Sequence, residues 1–171
     1  MVPDVYFSVF ANQSTVTVPS TSDISCHLLR DAIFDTLNIL DFNRIAVARF
    51  LVDIDCYFAP DVFLKRATAF DRVKEVAGDK STWKPEDVAV DAVFSQLLRL
   101  PNPKHKLIYY HSVFTEMCKI AAAAIAPSLG RAIRFMYANV ENLDVELTNR
   151  FIDWFSHHLS NFGFTWKWGE W

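Results

Sequence analysis

Large apolar side chains return at every third or fourth position through most of this chain of 171 residues. The first such run consists of Ile24, Leu28, Ile33 and Leu37. This spacing places the side chains on one face of an α-helix. The sequence has only 4 Gly and 7 Pro against 15 Phe and 5 Trp, so it offers few tight turns and many large side chains to bury. The pattern therefore predicts an all-α fold.

Breaks in the pattern divide the chain into about six helices. They are predicted over residues 23–39, 41–60, 85–100, 104–123, 127–137 and 144–162. Asp41 caps the second helix, Pro101 ends the third, and Pro127 restarts a helix. Residues 61–80 are expected to form a helical turn and then a mobile loop near Gly78. Helices that follow one another across short breaks indicate stacked antiparallel hairpins, as in an α-solenoid.

The same reading divides the chain into three parts. Residues 1–22 form an extended segment, residues 23–162 a helical-repeat domain, and residues 163–171 a Trp-rich extended tail. The helix between Asp41 and Pro60 is apolar on nearly every side, from Ile45 to Ile54. Such a helix is expected at the centre of the fold, where neighbours cover it.

Charge and cysteine content restrict the class of protein. The net charge of −3 is spread over both halves, which lacks the basic footprint of most nucleic-acid-binding domains. Three distant cysteines, Cys26, Cys56 and Cys118, fit free thiols in a reducing compartment. The longest aliphatic patch, residues 120–126, is too short to cross a bilayer. We therefore expect a nuclear or cytoplasmic protein that makes no use of a membrane.

Two adjacent histidines, His157 and His158, suggest a metal site, but neighbours on a helix point about 100° apart and do not easily share an ion. His158 lies instead on an apolar stripe, which predicts a buried histidine with one polar partner. His157 lies four residues from both Asp153 and Asn161, which predicts a polar ridge. Neither a metal site nor a cofactor is predicted.

Aromatic residues alternate in the tail at Phe164, Trp166 and Trp168, the spacing of an extended segment with one aromatic face. Docking of these rings on the chain's own helices, or on a following domain, is the favoured interpretation. The alternative is direct binding of single-stranded RNA by stacking. It is disfavoured because only Lys167 is basic in the tail.

The remaining polar candidates give no sign of catalysis. Asp53 and Asp55 are two apart on a predicted helix and point to different faces, so shared acid–base work is not expected. Arg131 and Arg134 are candidate contacts for a partner's carboxylates. No nucleophile elbow, Walker loop or zinc-protease motif is present. No catalytic residue is predicted; a hydrolase using His157 or His158 would need an activity that is lost when one of them is replaced.

Residues 150–162 read RFIDWFSHHLSNF and are followed by Phe164, Trp166, Trp168 and Trp171. This string closely resembles the large subunit of nuclear cap-binding complexes. Three shorter stretches are similar to the same family in the same order. They are FSQLLRLPNP at residues 94–103, EMCK at residues 116–119 and the Pro3, Val5, Tyr6 and Phe7 pattern near the start.

The resemblance implies the middle of three helical domains, similar to the middle domain of the scaffolding translation initiation factor. In this family a small subunit with an RNA-recognition fold holds the 5′ cap, so this chain would contact capped RNA only indirectly. The expected partners are that subunit and the other helical domains, one of which would follow the tail. The expected location is the nucleus, with shuttling to the cytoplasm, and the expected processes are splicing, export and nonsense-mediated decay of mRNA. The family signature residues, structural or interfacial, are Trp154, His157, His158, Asn161, Trp166 and Trp168.

Overall fold

The computed structural model describes residues 7–11, 13–76, 80–166 and 168–170, and within these ranges it contains helices and no strand. Six α-helices follow one another: α1 (Ile24–Ile39), α2 (Arg44–Val52), α3 (Phe70–Val73), α4 (Pro85–Leu97), α5 (Leu107–Ala138) and α6 (Val145–Asn161). Short 3-10 helices occupy Ile54–Tyr57, Val140–Asn142 and Trp168–Glu170. The predicted all-α class is confirmed.

Helix α4 lies at the centre of the molecule, where all of its 13 residues are buried. It packs against α1, α2 and α5. Pro85 occupies the start of the helix, where its missing N–H costs nothing, and two acidic residues follow in the first turn. The predicted central position of the helix between Asp41 and Pro60 is therefore wrong.

The second predicted helix is a surface element. It is split into α2 and a 3-10 helix, and Asn43 rather than Asp41 caps α2 by accepting a hydrogen bond from the Ala46 N–H at 3.1 Å. One face of α2 meets the core, and the other leaves Ile45 and Phe50 exposed. Apolar composition on every side shows what a helix can bury, but packing decides which faces are covered.

Helix α5 unites two predicted helices. Its backbone departs from helical geometry at Ala121 (φ −144, ψ 59), and the helix then continues through Pro127. The predicted break before Pro127 is therefore wrong, because the non-helical residue within α5 is Ala121, six residues earlier. Proline has a φ close to that of a helix and removes only one backbone donor, so a helix already bent nearby can contain it.

By length and composition, α5 is also apolar enough to cross a membrane. Its apolar composition has another explanation in the structure. Tyr110, Phe114 and Met117 are buried in the core that α5 shares with α4.

Helix α6 has well-defined ends. Asp144 accepts a hydrogen bond from the Glu146 N–H at 2.8 Å at the start of the helix. At the other end, the N–H of Phe164 donates to the Leu159 carbonyl at 2.8 Å and that of Gly163 to the Ser160 carbonyl at 3.4 Å. This is a Schellman ending with Gly163 in the left-handed region (φ 62).

The chain ends differ from each other. The described residues before α1 contain no helix, and Ser8 and Val9 are tied to Asp91 of α4. The family-like residues Pro3, Val5 and Tyr6 lie outside the described ranges, as do Gly78, Lys167 and Trp171. The tail was predicted to be extended. In the structure a turn at Gly163 and Phe164 and a 3-10 helix at Trp168–Glu170 interrupt it.

Candidate interaction site

A cluster of aromatic and imidazole rings joins the middle of α5 to the end of α6. Trp154 is buried against Phe94 and Phe114, with ring centroids 5.1 and 5.6 Å away. His158 stacks on Trp154 at 5.3 Å, and Trp166 meets the edge of Phe155 at 5.6 Å. Trp154 and His158 therefore belong to the core, and Trp166 returns the tail to α6.

Burial determines the protonation of two histidines in this cluster. Burial, with the nearby His157, lowers the pKa of His111 to about 4. Burial, followed by His111 and His157, lowers the pKa of His158 to about 4. Both imidazoles are therefore uncharged at neutral pH. Nδ1 of His158 and Nε2 of His111 have no hydrogen-bond partner among the described residues. The polar partner predicted for His158 is therefore not found at its Nδ1.

His157 belongs to an exposed polar ridge on α6. The Asn161 side chain contacts Nε2 of His157 at 3.1 Å and donates to its carbonyl at 2.8 Å. The His157 ring also lies 4.4 Å from the ring of His111 on α5. Within the described ranges, no three His, Cys, Asp or Glu side chains are placed to hold one metal ion.

The three tail aromatics do not share one face. Trp166 is half-buried against α6, while Phe164 and Trp168 are 65% and 51% exposed. Phe164 also has a left-handed backbone (φ 57), which turns the chain between the first two rings. Of the three rings, Trp166 is the one that the structure shows half-buried against α6, as docking on the chain's own helices requires.

Arg131 and Arg134 line a groove of about 700 Å³ between residues 67–70, the second half of α5 and Trp166. Arg131 is held inside the fold: it contacts Asp87 at 2.5 Å, donates to Gln13 at 3.1 Å, and stacks on Phe70 at 4.4 Å. Arg131 is thus already paired within the fold, and its predicted contact with a partner's carboxylates stays a prediction. Arg134 is exposed, and its partner role stays a prediction.

The buried acids of α4 are the polar residues that the sequence interpretation missed. Asp91 accepts from Ser8 and Val9 and pairs with Arg30 at 2.6 Å. Burial raises the pKa of Asp91, while Arg30 and the donors Ser8 and Val9 oppose that shift. The available signal was the spacing of Asp87 and Asp91, one helical turn apart on a helix rich in Val and Ala.

Asp53 and Asp55 share a partner after all. Arg66 contacts Asp53 at 2.7 Å and Asp55 at 2.5 Å, because the chain passes from α2 into a 3-10 helix between the two acids. Their predicted separation on two faces of one helix is therefore wrong. The three side chains form a small ion-pair network that connects the segment before Arg66 to the end of α2.

Several exposed apolar side chains lie on α1, α2 and the 3-10 helix after α2. Phe50 and Tyr57 form a pair with ring centroids 5.6 Å apart, and both are exposed. Two grooves adjoin this pair, one of about 400 Å³ beside Arg49 and one of about 260 Å³ against α1. We call these residues and the two grooves the Phe50–Tyr57 surface. Exposed aromatic surface of this kind marks sites of association.

Comparison with known proteins gives one family. A model of the family described as MIF4G like matches residues 19–171. Nuclear cap-binding protein subunit 1 of Schizosaccharomyces pombe is 43% identical over 97% of the chain. Proteins named nuclear cap-binding protein complex subunit 1 are 36% identical over 98% of the chain in Eremothecium gossypii and 34% over 91% in Saccharomyces cerevisiae.

These relatives are much longer than the chain. It spans 21% of the S. pombe protein, 20% of the E. gossypii protein and 18% of the S. cerevisiae protein. The similarity therefore concerns one helical segment of each.

Proposed function

The chain belongs to the MIF4G-like family, and from that premise we propose that it is a scaffold domain in the large subunit of a nuclear cap-binding complex. In this proposal a small subunit with an RNA-recognition fold binds the 5′ cap of RNA polymerase II transcripts, and this domain supports it. The observation that carries the proposal is the 43% identity to a nuclear cap-binding protein subunit 1 along 97% of the chain. Splicing, export and nonsense-mediated decay of mRNA are then the processes it serves, in the nucleus and with shuttling to the cytoplasm.

A rigid frame that presents side chains to a partner is the mechanism we infer. The fully buried helix α4 and its ion pairs hold α1, α2 and α5 in place. A frame of this kind loses little conformational entropy on binding, so a few aromatic anchors supply most of the affinity. The Phe50–Tyr57 surface provides such anchors, because both rings protrude beside grooves that can receive a partner's side chains.

The test is binding between the full large subunit and its small subunit, measured by pull-down and calorimetry. Replacement of Phe50 and Tyr57 by serine is expected to weaken binding at least tenfold, since two aromatic anchors are lost. Ile152→Ser is the matched control, because Ile152 is an exposed apolar residue on α6 far along the chain. Undiminished binding by the double variant argues against support through this surface.

Direct binding of single-stranded RNA through the tail is the second candidate. One observation favours it: the groove beside Trp166 also contains Arg134, Arg131 and Lys84, so the tail is closer to cationic side chains than its sequence indicated. Two of these cations are neutralised internally, Arg131 by Asp87 and Lys84 by Glu86 at 3.0 Å. The electrostatic contribution to RNA binding is therefore expected to be small.

Salt dependence separates the two candidates. If the tail binds RNA, affinity for a short single strand falls steeply between 50 and 200 mM salt, as phosphate contacts require, and is lost on Trp166→Ala with Trp168→Ala. Absence of measurable binding at low salt removes this candidate and leaves the scaffold proposal untouched.

A further inference from the structure

The outer face of α1 carries a row of exposed apolar side chains. Ile24, Leu28 and Ile39 are 77%, 66% and 66% exposed. With Ala32, which is also exposed, they are spaced four, four and seven residues apart and so form one row along the helix. We call these four residues the α1 stripe. The opposite face of α1 is buried and already joins the helix to its own domain, so a second apolar row indicates contact with another surface.

Two acidic side chains lie beside the α1 stripe. Asp31 and Asp35 are exposed and four residues apart, on the same side of α1 as the apolar row. Within the described ranges, neither carboxylate forms an ion pair. The single arginine of α1, Arg30, is buried and pairs with Asp91. The outer face of α1 is therefore both apolar and negatively charged.

The net negative charge of the chain is concentrated in this region. Residues 23–41 contain four aspartates and one arginine, a net charge of −3, and the whole chain also has a net charge of −3. The acidic and basic residues of the remainder are therefore equal in number. A negative field on one side of a molecule attracts a partner of positive charge and orients it during encounter.

The acids are unfavourably placed for α1 itself. The carbonyl end of a helix has a partial negative charge, which favours cations in its last turn. Asp35 lies about one turn before the end of α1 at Ile39, and the last turn contains no basic residue. Positive charge from another molecule would relieve this repulsion.

We propose that the outer face of α1 binds a basic amphipathic helix of a separate partner protein. Apolar side chains of that helix pack along the α1 stripe, and two Lys or Arg side chains four residues apart pair with Asp31 and Asp35. A helix is the matching element, because a row that runs along α1 meets a row of the same spacing when two helices lie side by side. The proposal goes beyond the scaffold function: it involves neither Phe50 nor Tyr57 and does not require the small subunit.

The test uses the full large subunit and a synthetic helical peptide of Leu, Ala and Lys. The peptide is about 18 residues long, enough to lie along the 16 residues of α1, and its lysines are four apart beside the leucine row. We expect saturable binding that weakens as salt is added, and at least tenfold weaker binding of a second peptide with Glu in place of Lys. Equal binding of the two peptides overturns the proposal. Absence of binding by the lysine peptide also overturns it, and coverage of α1 by another part of the large subunit would have that result.

Paired charge reversals locate the binding site. Asp31→Lys with Asp35→Lys is expected to weaken binding of the lysine peptide at least tenfold. The matched control is Asp71→Lys with Glu75→Lys, two exposed acids of the same spacing outside α1. It makes the same change in net charge and should alter binding less than about twofold. Equal losses in the two double variants overturn the proposal, because the peptide then responds only to net charge.

A serine substitution tests the apolar contact separately. Leu28→Ser is expected to weaken binding of the lysine peptide at least fivefold, since a large anchor of the α1 stripe is lost. Ile152→Ser, at an exposed apolar position of α6, should leave it unchanged. Circular dichroism verifies that both variants are folded. Unchanged binding by Leu28→Ser overturns the proposed packing along the α1 stripe.

Discussion

Among the residues that the structure describes, each buried charged side chain meets a partner of opposite charge. Asp91 and Arg30 are both almost inaccessible to solvent, and their side chains are 2.6 Å apart. Removing one member of such a pair leaves an uncompensated charge in a medium of low polarity, which costs more than the pair itself contributes. The pairs of α4 therefore hold the fold in one arrangement.

Asp91→Ala is expected to lower the free energy of unfolding by about 3–5 kcal/mol, because it strands Arg30 and the donors Ser8 and Val9. Denaturation in urea measures the change. The control is Glu116→Ala, whose partners Arg44 and Lys119 are more than half exposed, and it should cost less than about 1 kcal/mol. Equal losses in the two variants would contradict this account of Asp91.

The buried histidines predict a pH dependence of stability. Because the pKa values of His111 and His158 fall from 6.5 to about 4 on folding, the unfolded chain takes up protons between these values and the native chain does not. Stability is thus lost as the pH falls from about 6.5 toward 4, by on the order of 3 kcal/mol per histidine.

Unfolding in urea at pH 7, 6 and 5 tests this dependence. His158→Phe is expected to reduce the loss between pH 7 and pH 5, since one of the two groups no longer titrates. A variant with the same pH profile as the parent chain would show that His158 does not contribute.

At the scale of elements, glycine has opposite effects at two positions, one inside a helix and one just after a helix end. Gly130 lies inside α5, and a β-carbon added there meets no atom within 4 Å. Gly163 also has open space around it, but its φ of 62 suits glycine and strains other residues. The first glycine leaves room in a groove, and the second allows α6 to end.

Gly130→Ala is expected to stabilise the chain by about 0.5–1 kcal/mol through helix propensity, and Gly163→Ala to destabilise it by about 1 kcal/mol. Thermal unfolding of the two variants should show a higher melting temperature for Gly130→Ala and a lower one for Gly163→Ala than for the parent chain. Destabilisation by Gly130→Ala would mean that the space beside α5 is filled in solution.

For the whole molecule, burial ranks the helices in an order that differs from their apolar content. α4 is enclosed on every side, whereas α2 lies at the surface and α3 is a single turn. Local opening requires least free energy where few apolar contacts are broken. The centre of the fold is therefore expected to open only when the whole domain unfolds.

Hydrogen exchange detected by mass spectrometry tests this ranking. Amides of α4 should exchange at a rate set by global unfolding, slowing in step with any stabilising variant such as Gly130→Ala. Amides of α2 and α3 should exchange faster and respond less. Slower exchange in α2 than in α4 would contradict the central position of α4 and support the sequence-based prediction that α2 is central.

The sequence by itself determined the helical class, the ends of α1 and α6, the start of α4 and the family, because these depend on residues close together along the chain. Asp144, Pro85 and the apolar spacing act locally, and the string at residues 150–162 is read without knowledge of contacts. Only the tertiary structure decided which helix is central, that Arg131 pairs with Asp87 across 44 positions, and that Trp166 lies beside His158. Those outcomes depend on which surfaces meet, and an apolar or charged residue specifies that it needs a partner without specifying which one.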